Sequence, residues 1–207
     1  MTRLREQLSS WPREQIENLA ETASGTTPSR GNREYYQGRI PWVKTGELKD
    51  GIITETEEHV SESAMNDTSL KLLPVGTLLI AMYGQGQTRG RTGLLAVPAT
   101  INQACFAILP NPQFEPRFIQ FWFQYSYQRL RNETEGRGGN QPNLNGLILN
   151  RLRVPLPSVA QQESISSSLD SEIAVAKALA DAIRTKLAEL GKLPAALLRA
   201  AFNPNSS

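Results

Sequence analysis

Two glycine-rich segments hold the side chains of this sequence that are best suited to binding another molecule. They span residues 84–93 and 136–145. The side chains that we predict to contact DNA are Gln85, Gln87, Arg89 and Arg91 in the first segment and Arg137, Asn140, Gln141 and Asn143 in the second. Arginine can bind guanine through two hydrogen bonds, and asparagine or glutamine can bind adenine in the same way. This composition favours sequence-specific reading of DNA, but polar loops are also common on protein surfaces of every kind.

The positive charge of the chain is concentrated in its middle. Residues 1–70 contain 8 Lys and Arg against 12 Asp and Glu, residues 71–158 contain 9 against 3, and the last 49 residues contain 5 of each. A basic region of this kind is typical of a surface that faces phosphate, although an ordinary solvated basic surface has the same composition. Lys44 and Thr45 are further DNA-binding candidates. Lys44 and Arg137 suit phosphates better than bases.

Two short motifs raise the alternative of an enzyme. Residues 84–90 resemble a glycine-rich phosphate-binding loop, but such a loop must lead from a strand into a helix. Here the segment leads into residues 92–97, which have the composition of a strand, so we predict a hairpin tip instead. Residues 111–114 are similar to the Asn-Pro-Pro-Phe/Tyr signature of DNA adenine methyltransferases. Gln113 departs from that signature and no Phe-x-Gly-x-Gly cofactor segment precedes it, so we predict a simple turn.

The remaining residues do not form a catalytic or metal-binding pattern. One cysteine, Cys105, and one histidine, His59, exclude an intramolecular disulfide and disfavour a zinc site within one chain. Several glutamates lie close together in a polar segment that we predict to be exposed; they are Glu55, Glu57, Glu58 and Glu62. No apolar stretch of about 18 residues occurs, so the sequence predicts no membrane span. Residues 1–11 contain no apolar run, so we predict no signal peptide. We expect a protein of the prokaryotic cytoplasm with no catalytic centre, metal or cofactor of its own.

Short strands and frequent turns predict an α+β fold for the first three quarters of the chain. Gly and Pro residues separate four strand-like apolar runs, which are residues 51–54, 77–82, 94–97 and 104–109. Between residues 116 and 133, the spacing predicts a helix with an aromatic face formed by Phe118, Phe121, Trp122, Tyr125 and Leu130. The first ten residues predict a mobile arm.

The sequence changes character near residue 157. Residues 153–157 have a Pro-x-Pro pattern and predict an extended connector, and Ser158 with Gln161 fits a capping box at the start of a helix. No Gly or Pro follows until Gly191, where we predict that this helix ends. A short separate helix is predicted for residues 194–202.

The long helix has apolar residues at the period of a coiled coil. Steps of four and three residues connect Leu169, Ile173, Ala176, Ala180, Ile183, Leu187 and Leu190, a seam of three heptads roughly 32 Å long. A helix that packs on its own domain is the alternative, for which a 3.6-residue period would suffice. We favour pairing with a second helix. The chain then consists of a β-rich DNA-reading domain of residues 1–157 and a coiled-coil helical region of residues 158–207.

Ordered segments along nearly the whole chain share one resemblance. They are Trp11, residues 24–29, 35–45, 75–80, 100–105 and 139–145, then residues 154–157 with Gln161, Gln162 and Ile165, and finally Leu197, Leu198, Ala201 and Phe202. In this order they resemble the target-recognition domain and conserved helical region of specificity subunits from type I restriction-modification systems. The number of segments that agree in order makes the resemblance specific.

The resemblance implies a protein that recognises DNA and performs no chemistry itself. Specificity subunits of this family read a split DNA site and hold two methyltransferase subunits, which bind S-adenosylmethionine and methylate adenine N6. The adenine must leave the base stack, a step that belongs to the methyltransferase. The expected partners are therefore double-stranded DNA, type I methyltransferase subunits and a restriction subunit that translocates DNA.

One departure from the family concerns length. Its members usually contain two target-recognition domains and two helical regions, whereas these 207 residues contain one of each and no internal repeat. The chain resembles a half-length specificity subunit, or one that was engineered or truncated to that form. We favour the first interpretation because residues 203–207 resemble a natural terminus. We expect two copies to pair as a homodimer through antiparallel helices. The expected DNA site is then an interrupted palindrome. The alternatives are an adaptor that acts only through its helix and a small methyltransferase that acts alone.

Overall fold

The computed structural model describes residues 10–84, 87–135 and 144–202, and in these ranges ten strands form three sheets. The strands are β1 (Arg13–Gln15), β2 (Thr22–Ser24), β3 (Ile40–Val43), β4 (Gly51–Ile53), β5 (Glu58–Val60), β6 (Leu78–Ala81), β7 (Thr92–Leu95), β8 (Thr100–Ile101), β9 (Cys105–Ile108) and β10 (Arg153–Pro155). The helices are α1 (Ile16–Leu19), α2 (Glu62–Asp67), α3 (Pro116–Glu135), α4 (Gly146–Asn150) and α5 (Val159–Phe202), with 3-10 turns at Arg33–Tyr36 and Thr45–Glu47. The chain divides into two compact units between Glu163 and Ser164.

A five-stranded sheet in the order β2-β9-β6-β7-β4 lies at the centre of the first unit. Its neighbouring strands are antiparallel except for β4 and β7, which run parallel. The four runs that the sequence predicts as strands correspond to β4, β6, β7 and β9, and β6 and β7 form the predicted hairpin. Both β6 and β9 are buried along their whole length, which explains why their sequences are apolar without interruption.

The helix α3 covers one face of this sheet. Successive residues of a strand point to opposite faces, so Leu79, which belongs to a buried cluster on one face, points away from Ile80. Thr92 pairs with Ile80 and shares its face. The fully buried Gln120 of α3 donates from Nε2 to Thr92 Oγ1 at 3.4 Å and to the carbonyl of Gly51 at 3.1 Å. These bonds tie α3 to the edge formed by β4 and β7.

The aromatic helix predicted over residues 116–133 is confirmed as α3, which continues to Glu135. Its apolar face is buried at four of the five predicted positions, namely Phe118, Phe121, Trp122 and Leu130. Tyr125, the fifth residue of the predicted aromatic face, is 70% exposed. Helical spacing groups residues on one face of a helix but does not show which of them a neighbouring element covers.

The segment predicted as a free connector is instead the strand β10, which pairs antiparallel with β1. The ladder joins Arg13 to Pro155 and Gln15 to Arg153, and Leu156 extends it with an N–H bond of 2.8 Å to the carbonyl of Pro12. A two-stranded sheet accepts proline because each strand is an edge. No local pattern predicts this pairing because the two strands are 140 residues apart and only three residues long.

The predicted capping box begins α5. The backbone N–H of Gln161 donates to Ser158 Oγ at 3.4 Å, and Gln161 Oε1 accepts from the N–H of Ser158 at 3.1 Å. Nearby, the fully buried Gln162 donates to the carbonyl of Pro157 at 2.8 Å and accepts the N–H of Glu115 at 2.9 Å. This buried side chain fixes the first turn of α5 against the residue that precedes α3.

The prediction that the helix ends at Gly191 was wrong. A single helix of 44 residues passes through Gly191 and Pro194 to Phe202, and it includes the short helix predicted separately. A proline inside a helix removes one backbone hydrogen bond and costs about 3 kcal/mol, and a glycine costs about 1 kcal/mol. Most residues that surround them are Ala, Leu, Lys and Glu, which favour the helix strongly enough to offset these costs.

Gly38 offers a test of the second, three-stranded sheet, in which β3 lies between β5 and β8. A Cβ atom at Gly38 would lie 2.0 Å from the carbonyl oxygen of Val60, and Val60 is held by its pairing with Ile40. We expect Gly38→Ala to lower the free energy of unfolding by about 1–3 kcal/mol in a denaturant titration. Gly51→Ala is the control because a Cβ there has no atom within 4 Å. Equal losses at the two glycines would contradict this explanation.

Candidate nucleic-acid interface

The loop between β6 and β7 carries the first group of predicted DNA-binding residues. Hairpin pairing begins two residues before β7, since the N–H of Gly90 donates to the carbonyl of Ala81 in β6 at 2.8 Å. Gly90 has φ of +84°, and a Cβ there would lie 3.4 Å from the Tyr127 ring. Glycine is needed at this position both for the backbone conformation and for the close approach to the ring.

Two side chains from α3 hold the backbone of this loop. The hydroxyl of Tyr127 donates to the carbonyl of Gln87 at 2.6 Å. Arg131 donates from Nη1 to the carbonyl of Arg89 at 3.3 Å and to the Tyr127 hydroxyl at 3.1 Å. The loop is therefore attached to the helix at residues 87 and 89, which restricts the positions its side chains can take.

Arg91 is fixed by an ion pair with Asp50. Asp50 Oδ1 also accepts the N–H of Thr92 at 2.9 Å and its hydroxyl at 3.0 Å, so one carboxylate serves the arginine and the following strand. The guanidinium of Arg91 lies 4.8 Å from the centre of the Tyr127 ring. Its hydrogen bond with Asp50 raises the pKa of Arg91 above its ordinary value. The charge is permanent, and the side chain remains 34% exposed.

The predicted residues of this loop differ in how far they reach solvent. Gln87 is exposed and Arg91 partly exposed, so both side chains are accessible to a bound molecule. Arg89 is only 6% exposed. Direct contact between Arg89 and DNA would require its side chain to leave the interior.

The other loop predictions fall outside the described residues. They are Gln85, Arg137, Asn140, Gln141 and Asn143. The residue that follows the second segment is described: Leu144 is buried and donates its N–H to the carbonyl of Met82 at 3.0 Å. The chain thus returns from the second segment at a point two residues before Gly84, where the first loop begins.

Lys44 is engaged by acidic side chains. Its Nζ lies 2.8 Å from Glu58 and 3.0 Å from Glu57, and Glu58 also pairs with Arg30 at 2.6 Å. Hydrogen bonds to Glu58 and then Glu57 raise the pKa of Lys44, while Arg30 and then Lys44 lower the pKa of Glu58. A phosphate that binds Lys44 must therefore displace or share these carboxylates, which makes it a weaker phosphate site than the sequence predicts.

The turn after Lys44 and the β6–β7 loop form the two sides of a shallow depression. Its volume is about 370 Å³, and its lining comes from Gly46, Leu48 and Lys49 on one side and from Gln87, Thr88 and Arg91 on the other. The predicted candidate Thr45 begins the 3-10 turn on the first side and is partly buried. Lys49 is exposed here, and we did not single it out from the sequence because one lysine in a polar segment has no distinguishing pattern.

The features that suggested an enzyme have structural explanations. Asn111 accepts the N–H of Gln113 through its side chain at 2.9 Å, and Phe114 is buried, so this motif is the predicted turn before α3. Among the described residues, no group of three or more His, Cys, Asp and Glu is placed to hold a metal ion. Within the same ranges, no helix is both long and apolar enough to cross a membrane.

The chain thus contains a β-rich domain whose polar β6–β7 loop is held by α3, followed by a long helix. The model of the type I restriction modification DNA specificity domain matches residues 9–189. The chain belongs to this family.

Individual proteins to which the chain is similar are specificity subunits of type I restriction enzymes. The chain is 28% identical over 165 residues to the specificity subunit of the type I restriction enzyme MjaIX of Methanocaldococcus jannaschii, and 24% identical over 173 residues to that of EcoR124I/EcoR124II of Escherichia coli. These alignments cover 77% and 80% of this chain but 37% and 43% of the relatives. The fold is similar to the crystal structure of the HsdS subunit from Thermoanaerobacter tengcongensis, with a TM-score of 0.68 at 20% identity over 95% of this chain and 45% of that one. The chain spans less than half the length of these proteins.

The hydrogen bonds from Tyr127 and Arg131 of α3 to the β6–β7 loop can be tested by mutation. Tyr127→Phe removes the hydrogen bond to the carbonyl of Gln87, and the loop should become more mobile while the sheet stays intact. We expect faster amide exchange at Gly90 and Arg91 and a loss of about 0.5–1.5 kcal/mol in the free energy of unfolding. Tyr125→Phe, an exposed tyrosine on the same helix, is the control. Unchanged exchange in the Tyr127 variant would show that the hydroxyl does not hold the loop.

Proposed function

We propose that this chain is the DNA-reading subunit of a type I restriction-modification system, with one target-recognition domain. The observation that supports this most strongly is the match of the specificity-domain family over residues 9–189. The chain would direct methyltransferase subunits, and a restriction subunit where one is present, to a bipartite DNA site. S-adenosylmethionine would bind to the methyltransferase and adenine methylation would occur there.

The β6–β7 loop, which is held by hydrogen bonds from α3, suits the reading of DNA bases. A reading side chain must meet a base edge in a narrow range of positions, and ordering a free loop on binding would cost affinity. Tyr127 and Arg131 restrict the loop before DNA arrives. Gln87 is then the exposed candidate for adenine, while Arg91 and Lys49 add positive charge beside it.

Methylation mapping tests this proposal. In cells that express the chain with a type I methyltransferase, adenines should be methylated at one sequence, and the methyltransferase alone should not methylate that site. Gln87→Ala should relax preference at one position of the site, by about 1–3 kcal/mol if the contact has two hydrogen bonds. Gln113→Ala, also exposed but remote in sequence from the loops, is the control. Methylation at the correct site without the chain would refute the proposed function.

The helix α5 supports the second part of the proposal, which is that the chain acts as a homodimer. The later residues of the seam are exposed in the single chain: 52% for Ile183, 63% for Leu187 and 58% for Leu190. A row of large apolar side chains exposed along one stripe is typical of a helix that pairs with another helix. Two copies paired antiparallel would supply the two recognition domains that longer members carry in one chain.

Ile183→Asp tests the homodimer. It would place an unpaired charge in the seam, and we expect the dimer to dissociate while the recognition domain stays folded. Light scattering gives the mass, and circular dichroism checks the fold. Ala182→Asp, one residue away and off the seam, should leave the dimer intact. A monomeric wild-type chain or an asymmetric methylated site would contradict the homodimer and favour pairing with a different specificity chain. If the chain were only an adaptor, its binding would not depend on the DNA sequence.

A further inference from the structure

Two rows of exposed residues flank the seam of α5. Asp170, Lys177 and Arg184 each follow a seam residue on one side, and Glu172, Leu179 and Lys186 each precede one on the other. Residues at these positions pair between the helices of a coiled coil and select its partner and orientation. The charges in these two rows therefore help to determine which residues of two paired helices lie opposite each other, which the apolar seam alone does not determine.

Symmetry limits how two identical antiparallel helices can pair. If residue i of one copy contacts residue j of the other, then j contacts i, and each flank of the seam meets itself in reverse order. Sliding one helix keeps the seam together only in steps of whole heptads. A small number of registers remains, and each brings a different set of flanking charges together.

We propose that two copies of α5 pair antiparallel in the register that places Ala176 of one copy opposite Ala180 of the other. This inference rests on the homodimer of the proposed function and specifies its geometry. The seam layers of this register are all apolar between residues 169 and 187. They consist of Ala176 with Ala180, Ile173 with Ile183, and Leu169 with Leu187, each occurring twice.

The flanking charges complement one another in this register. Asp170 lies opposite Arg184 and Glu172 opposite Lys186, and symmetry doubles each pair. At the centre, the two copies of Leu179 meet on one flank and the two copies of Lys177 on the other. The latter is the one like-charge contact among the flanking residues named above.

Intrahelical ion pairs do not compete strongly with this arrangement. In the single chain Arg184 pairs with Asp181 at 2.6 Å and Lys186 with Glu189 at 2.9 Å. All four side chains are more than half exposed, and pairs this exposed contribute little to stability. Exchanging them for pairs across the dimer therefore costs little.

The neighbouring registers are less favourable. A shift of one heptad toward the C-terminus places Lys177 opposite Arg184 twice and loses every opposite-charge pair described above. A shift the other way places Ile183 opposite Ser166 and Leu187 opposite Gln162, which are 5% and 0% exposed in the chain and thus inaccessible to a second helix. A parallel pair would bring Glu172 opposite Lys177 and Leu179 opposite Arg184, so only the first of these contacts joins opposite charges.

Disulfide formation between two chains that each carry one introduced cysteine in α5 tests the register. Ala176→Cys and Ala180→Cys, carried on separately tagged full-length chains that are co-expressed, should cross-link to each other, and neither should cross-link alone. Native Cys105 is buried and stays in place. A cross-link of Ala176→Cys with Leu187→Cys, or of Ala176→Cys with itself, would overturn the proposal in favour of the shifted or the parallel pair.

Charge reversal supplies an independent measurement that does not need a cross-link. Arg184→Glu should raise the dimer dissociation constant about tenfold, as two attractive contacts become repulsive. The double variant Asp170→Arg with Arg184→Glu should restore it. In the register shifted toward the C-terminus, Arg184→Glu would instead tighten the dimer because the new carboxylate would face Lys177. Lys192→Glu, which lies off both flanks, is the matched control.

These outcomes separate the register from the function on which it rests. If the wild-type chain directs site-specific methylation as a dimer but the variants contradict the register in both tests, the register is refuted and the proposed function is not. A wild-type chain that directs no methylation would refute the proposed function, whatever the cross-links show.

Discussion

The carboxylate of Asp50 joins the strand pair β4–β7 to the loop that carries the candidate reading residues. It pairs with Arg91 and accepts two hydrogen bonds from Thr92, while the backbone carbonyl of the same residue accepts Gln124 from α3 at 3.1 Å. Asp50 has φ of +61°, a conformation that aspartate tolerates better than most residues. Sheet edge, loop and helix therefore meet at one residue, and this contact holds the end of the loop that leads into β7.

The helix α3 performs two tasks along its length. Its first half is a packing element, with aromatic side chains and Gln120 buried against the sheet. Its second half presents Tyr127 and Arg131 to the backbone of the β6–β7 loop. A loop on a recognition surface is usually the most mobile part of a domain. Attaching it to a helix that is itself part of the core gives the exposed Gln87 a defined position without burying it.

The two compact units differ in how far their apolar residues are buried. The first contains a buried apolar core, which includes the whole of β6 and β9. The second leaves a stripe of leucine and isoleucine exposed and cannot satisfy it alone.

Local pattern determined much of this protein from its sequence. The four apolar runs, the aromatic helix, the capping box at Ser158 and the heptads of α5 are all signals between neighbouring residues, and the ordered motifs gave the family. Only the tertiary structure decided that Arg89 is buried, that Lys44 is engaged by Glu57 and Glu58, and that residues 153–155 pair with β1. Those outcomes depend on residues distant in sequence, which no local period encodes. The end of α5 differs in kind: Gly191 and Pro194 are local signals for a stop, but the strong helix formers around them outweigh that signal over the length of the helix.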